Sequence, residues 1–179
     1  MDASKVERLR ESGPAYRPAP ESYNHPCPWE LELPPLTMPD MFVRSATAHP
    51  RASLVEFMGR YFSYAEMHEE ALRFAAGLQK FGIAKGDRVG LFLPNVPAYV
   101  AAYFGAMIAG ATVVNFSPLY TVEELDAQVA DSGTRLLVTV DVPAVLPTAC
   151  EVLDNSTLEM LVVARLGEML PWAKRIGLA

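Results

Sequence analysis

The chain has no cluster of lysine and arginine anywhere along its 179 residues, and its formal charge is −6. Neutralising a phosphate backbone needs such clusters, so nucleic acid is excluded as a partner. Cysteine is scarce: Cys27 and Cys150 stand alone, too few for a disulfide framework and too far apart for a CxxC metal or redox pair. That scarcity fits a reducing, cytoplasmic setting. The three histidines, His25, His49 and His68, have no partner at metal-ligand spacing. No HExxH, GxSxG or glycine-rich dinucleotide motif occurs. The first residues, MDASKVERLRESG, mix both charge signs with no apolar stretch, so they read neither as a secretory signal nor as a transit peptide.

What is present is a globular composition, 51% hydrophobic and 20% charged. A chain of this length suits one domain and can bury about 70% of the surface its unfolded form exposes. Nine of the fifteen prolines fall between Pro14 and Pro50. Proline fixes φ and removes a backbone donor, so residues 1–37 are expected to be an extended lead-in, anchored by Trp29. Residues 38–170 are expected to form the folded domain and residues 171–179 a tail.

Residues 89–122 carry no charge, and within them YVAAYFGAMIAGATVVNF, residues 99–116, is long enough to be read as a membrane span. Its centre, GAMIAGAT, is one residue short of the phosphate-loop pattern GxxxxGK[ST]. The span would have to force Gly110 and a β-branched run into one helix. The phosphate loop has Ala111 where a lysine should reach the phosphates, and its glycines do not lie between a strand and a helix start. Boundary signals instead divide the stretch into a helix from about residue 96 to Ala109 with Pro97 in its first turn, a stop at Gly110, and a buried strand ATVVNF. Gly105 then serves close packing.

The flanks repeat this arrangement. A short helix is expected around Pro39–Ala46 with Met41, Phe42, Ser45 and Ala46 near one face, then a hairpin of SLVEF and Tyr61-Phe62 turning at Gly59-Arg60. Ser63-Tyr64-Ala65-Glu66 is a capping box opening a helix whose apolar face is Met67, Ala71, Phe74, Ala75, Leu78 and Phe81. His68, Glu69 and Glu70 read as its solvated face. Asp87 closes a turn before the strand RVGLFL. Thr121-Val122-Glu123-Glu124 is a second capping box, and the helix it opens ends at Gly133. Ser132-Gly133-Thr134 is therefore a helix C-cap and not a nucleotide loop. RLLVTV is the next strand, a helix follows from Pro143 with Cys150 as a small core residue, and LEMLVVA is the last strand. Strands near 88, 112, 135 and 159 alternating with helices near 97, 122 and 144 specify an α/β fold: a partial, Rossmann-like parallel sheet with helices on both faces. One sheet edge and part of one face should remain uncovered.

The segments GDRVGLFLPN (86–95), AYFGAMIAGATVVNFSPLYTVEEL (102–125) and QVADSGTRLLVT (128–139) together resemble the amino-terminal region of AMP-forming acyl-CoA synthetases of the adenylate-forming superfamily. With RLGEML at 165–170 they are most similar to the bacterial long-chain fatty-acid CoA ligases. The resemblance implies an enzyme that activates a fatty acid with ATP to an acyl adenylate and passes the acyl group to coenzyme A, with Mg2+ offsetting the phosphate charge. It also allows peripheral association with the inner face of the membrane and a homodimer of the full-length enzyme. The family's phosphate loop, adenine- and ribose-binding segments, hinge and catalytic lysine have no match in residues 1–179. No catalytic, cofactor-binding or metal residue is therefore assigned, and the expectation is an inactive amino-terminal portion: a fragment, a truncated reading frame or a partial record. The alternatives are a non-catalytic α/β interaction or lipid-binding module, and a medium-chain or aryl CoA ligase of the same superfamily.

Overall fold

The computed structural model of the chain describes residues 24–27 and 35–175. Two units are distinguished, Met1–Pro35 and Leu36–Ala179. Of the first, only residues 24–27 and Pro35 are described, so most of the expected lead-in, with its Trp29 anchor, lies outside the described residues.

The second unit opens with α1 (Met38–Ala48), where Thr37 and Asp40 exchange hydrogen bonds in a capping box that the Thr-x-x-Asp spacing could have revealed. Phe42 and Ala46 are buried, while Met41, expected on the same face, is exposed. Strands β1 (Ser53–Phe57) and β2 (Arg60–Ser63) form the expected antiparallel hairpin. Its turn is Met58-Gly59, one residue earlier than the sequence suggested, because those two residues carry the positive φ values, 55° and 94°, of a tight hairpin turn. Helix α2 (Tyr64–Lys80) starts at the Ser63–Glu66 capping box and buries Met67, Ala71, Ala75 and Leu78. Phe81, one residue past its end, is exposed.

The main sheet contains β3 (Arg88–Leu91), β4 (Thr112–Asn115), β5 (Leu136–Val140) and β6 (Met160–Ala164), all parallel, in the order β4-β3-β5-β6. The connections are α3 (Pro97–Ile108), α4 (Val122–Ser132) and α5 (Leu146–Asn155). The path steps outward from β3 to β4, then crosses back over β3 to reach β5 and β6. Right-handed crossovers accordingly place α3 on one face of the sheet and α4 and α5 on the other. Contacts agree: α3 packs against α1 and α2, and α4 packs against α5. Two short helices, α6 (Leu166–Met169) and α7 (Trp172–Arg175), follow β6.

The sheet's interior explains its residue choices. Every residue of β5 is buried because neighbours cover it on both sides and both faces. β4 was expected to be buried too, but it is an edge strand, and Thr112 and Asn115 are exposed. Sheet order, which a β-branched run does not encode, decides the difference. The uncharged stretch divides as its boundary signals indicated: α3 begins at Pro97, Gly110 follows it with φ +85°, and β4 comes next. Gly105 lies where α3 touches α2, and a Cβ there would stand 2.6 Å from the Ala71 carbonyl oxygen. Phe42 of α1 stacks on Phe104 of α3 with ring centroids 4.0 Å apart, tying α1 to α3. No helix among the described residues is long and apolar enough to cross a membrane.

Candidate functional site

A groove of about 480 Å³ opens over the half of the sheet that α3 leaves uncovered. Its floor is Val138 of β5 with Val162 and Ala164 of β6, and its wall is the small-residue flank of α3, Ala98, Ala101 and Ala102. Register places Val138 opposite Val162, so both side chains rise from the same face. On the far side stand Met67 and Phe74 of α2. This is the uncovered part of one face that the βα count anticipated.

The rim is charged and internally paired. Arg60 lies with its guanidinium carbon 4.3 Å from the centre of the Phe62 ring and donates to the Glu168 carbonyl at 2.5 Å. Arg73 donates to Glu70 at 2.6 Å, and Arg165 stands 3.5 Å from Glu168. α6 is drawn over the mouth of the groove by two further bonds: the Leu166 N–H donates to Asp141 Oδ1 at 2.6 Å, and the Ala98 N–H to Met169 Sδ at 3.4 Å. The groove therefore offers apolar contact inside and Arg and Glu side chains outside. Among the described residues, no Ser, Thr, Cys, Lys or His side chain lines it.

In open sheets of this order ligands usually sit beyond the carboxyl ends of the strands, where the chain path reverses. Here that point lies between β3 and β5. The residues leaving it are Phe92-Leu93-Pro94-Asn95 and Asp141-Val142-Pro143, with no glycine-rich turn and no basic side chain, and the Asp141 carboxylate is committed to Leu166. Nor do the described residues contain a group of three His, Cys, Asp or Glu side chains able to hold a metal ion. These residues do not by themselves fit a nucleotide or Mg2+.

The sequence-singled residues are dispersed. His68, read as solvated, is half-buried and meets Phe42 edge-on at 5.8 Å. Cys150, read as a core residue, is exposed, because the helical period turns Ala149 and Val152 inward and Cys150 away. Cys27 is exposed as well. Ser132-Gly133-Thr134 is a C-cap: Gly133 has φ 63°, and the Ser132 hydroxyl donates back to the Gln128 carbonyl at 2.7 Å.

One charged constellation escaped the sequence reading. At the amino ends of the strands, opposite the groove's mouth, Arg135 bridges Asp87 and Glu159. The Asp87 carboxyl is held below its ordinary range by the Ala84 backbone N–H and then by Arg135, and that of Glu159 by its hydrogen bonds from Arg135. The available signal was positional: Asp, Arg and Glu each stand just before an apolar strand, so parallel pairing brings them to one level.

Comparison with known proteins places this geometry. The AMP-binding enzyme family matches residues 42–175. A long-chain-fatty-acid–CoA ligase of Bacillus subtilis (strain 168) is 34% identical over 154 residues, 86% of this chain and 27% of the relative. Its counterpart in Escherichia coli O6:H1 is 38% identical over 136 residues, 75% of this chain and 24% of the relative. Among solved structures, a fatty acyl CoA synthetase of Mycobacterium tuberculosis superposes with TM-score 0.59 at 27% identity, covering 78% of this chain and 28% of that one. The chain thus spans about a quarter of the length of the curated relatives it matches.

Proposed function

The chain belongs to the AMP-binding enzyme family, and from that membership we propose that it is the amino-terminal scaffold of an AMP-forming ligase that joins a long-chain fatty acid to coenzyme A. The observation that carries this reading is the 34% identity over 154 residues to a long-chain-fatty-acid–CoA ligase. The whole enzyme would form an acyl adenylate and pyrophosphate from fatty acid and ATP, then transfer the acyl group to the thiol of coenzyme A. Mg2+ would neutralise the phosphates.

In this reading residues 1–179 hold none of the reacting groups. Their part is mechanical: a rigid four-stranded sheet whose grooved face receives the segments that bind nucleotide and acyl chain. Phosphate positioning and charge stabilisation, which dominate such chemistry, would come from residues outside these positions.

The test is a graft. Residues 38–170 replace the corresponding segment of the Bacillus subtilis ligase, and fatty-acid-dependent ATP–pyrophosphate exchange is measured with palmitate and with benzoate. Exchange with palmitate by the graft, and none by residues 1–179 alone, is the expected outcome. A folded graft without exchange, or exchange by the isolated chain, overturns the proposal.

A further inference from the structure

One strip of the parallel sheet lacks a covering helix among the described residues. On the groove's face α3 packs on β3 and β4, while α1 and α2 pack on α3 and on each other. β6 is left half-buried, and its Val162 and Ala164 open to the groove. All-parallel sheets occur almost only with helices over both faces, so the cover this strip calls for is a helix. The dimensions agree. Two strands spaced about 4.8 Å apart make a strip about 10 Å wide, and a helix with its side chains is about 10–12 Å across. The five residues of β6 run about 16 Å, a length that about 11 helical residues span. α6 has only four residues, about 6 Å, so it closes one end of the groove and cannot fill it.

We propose that the groove is the docking site of one amphipathic helix, supplied by the part of the ligase that this chain does not match. The source of that helix rests on the ligase reading, and its chemistry rests on the groove. The chain spans 27% of the Bacillus subtilis relative, which leaves about three quarters of such an enzyme to supply it. The wall dictates the inner face of the incoming helix. Ala98, Ala101 and Ala102 recur at three- and four-residue steps along α3 and line the groove. They bring no bulk, so a second helix can lie about 8 Å from α3, the short end of the helix-packing range. Its inner stripe is then apolar, filling the space that the alanines leave over Val162 and Ala164. The rim dictates its flanks. Three guanidiniums, Arg60, Arg73 and Arg165, stand there against two carboxylates, Glu70 and Glu168. Arg73 meets Glu70, and Arg165 meets Glu168, through a single terminal nitrogen, which leaves most of each five-donor fork to take a further carboxylate. The Arg73 and Arg165 side chains are 62% and 75% exposed. The helix accordingly carries acidic residues beside its apolar stripe.

The experiment takes overlapping, fluorescently labelled peptides of about 20 residues that tile the Bacillus subtilis ligase outside its matched part, and titrates each with the purified full chain by fluorescence anisotropy. Binding is expected from peptides that share one segment with apolar residues at three- and four-residue steps and acidic neighbours, with helical circular dichroism gained on binding. Ala101→Arg, which drives a charge into the groove, abolishes it. Arg73→Glu combined with Arg165→Glu weakens it about tenfold, and replacing the peptide's acidic residues by lysine restores binding to that double variant. Thermal melting of each variant reports folding, and because Arg73 and Arg165 are exposed, the double variant reads the groove even if Ala101→Arg does not fold. Titration with palmitate, and sedimentation of the chain alone, test the other occupants. No peptide bound, a bound segment that stays non-helical, binding indifferent to the double charge reversal, or a groove filled by palmitate or by a second copy overturns the inference. The graft assay is read separately. Exchange by the graft with no peptide bound overturns the docking alone, and a bound peptide with no exchange overturns the ligase reading alone.

Discussion

Arg135 Nη1 lies 2.6 Å from Asp87 Oδ2, and the other edge of the same guanidinium holds both Glu159 oxygens at 2.8 and 2.7 Å. One planar fork thereby fastens the entrances of β3, β5 and β6 at a common level. Arg135 and Glu159 also continue the backbone ladder, through Arg135 N–H to the Arg88 carbonyl and Glu159 N–H to the Arg135 carbonyl.

Loss of that fork should show in acid. Both carboxyls titrate below their unfolded values, so the stability they confer is fully present above the ordinary carboxylate range and is lost as pH falls through their lowered folded values. Arg135→Ala should lower the melting temperature at neutral pH, and the gap to the parent should close between pH 4 and pH 2. A gap that stays constant to pH 2 would show that the lost stability was packing and not charge.

Gly105→Ala should destabilise the domain by roughly 1–3 kcal/mol, the usual cost of overpacking. The added methyl would stand 2.6 Å from the Ala71 carbonyl oxygen, which is backbone and cannot swing aside, and 2.9 Å from the Phe74 ring. Urea denaturation should show a lower midpoint at unchanged slope. Improved helix propensity outweighing this loss would mean that α2 and α3 can move apart freely.

Thr139→Val should stabilise. The Thr139 hydroxyl is wholly buried in β5 and has no hydrogen-bond partner among the described residues, so the folded state bears its desolvation uncompensated. Replacing it with a methyl of similar shape should raise stability by about 1 kcal/mol. A lower melting temperature would reveal a buried water satisfying the hydroxyl.

Ser63→Ala should lower stability by about 1 kcal/mol. The Ser63 side chain accepts from the Glu66 N–H at 3.2 Å, and Glu66 Oε2 accepts from the Ser63 N–H at 2.7 Å. That return bond holds the Glu66 carboxyl below its ordinary range. In Ser63→Ala the Glu66 carboxyl should titrate closer to the unperturbed value, measurable by NMR, because the backbone bond remains and the hydroxyl contact is gone.

The sequence by itself determined each local element for which chain neighbours suffice. Ser63 and Glu66, or Thr121 and Glu124, lie three residues apart and cap their helices with no help from the rest of the molecule. Gly110 and Gly133 end their helices through their own φ, and the alternation of apolar runs with these caps was enough to specify a parallel α/β sheet. Only the tertiary structure decided which strand lies where. That order exposes Thr112 and Asn115 on β4 and brings Asp87, Arg135 and Glu159 from a 73-residue stretch of chain to one guanidinium, while helix packing sets His68 against Phe42. Crossover direction and strand order are settled by long-range packing, for which no short stretch of sequence carries a signal. The groove is a product of the same order, since α3 packs on β3 and β4 and leaves Val162 and Ala164 of β6 only partly covered.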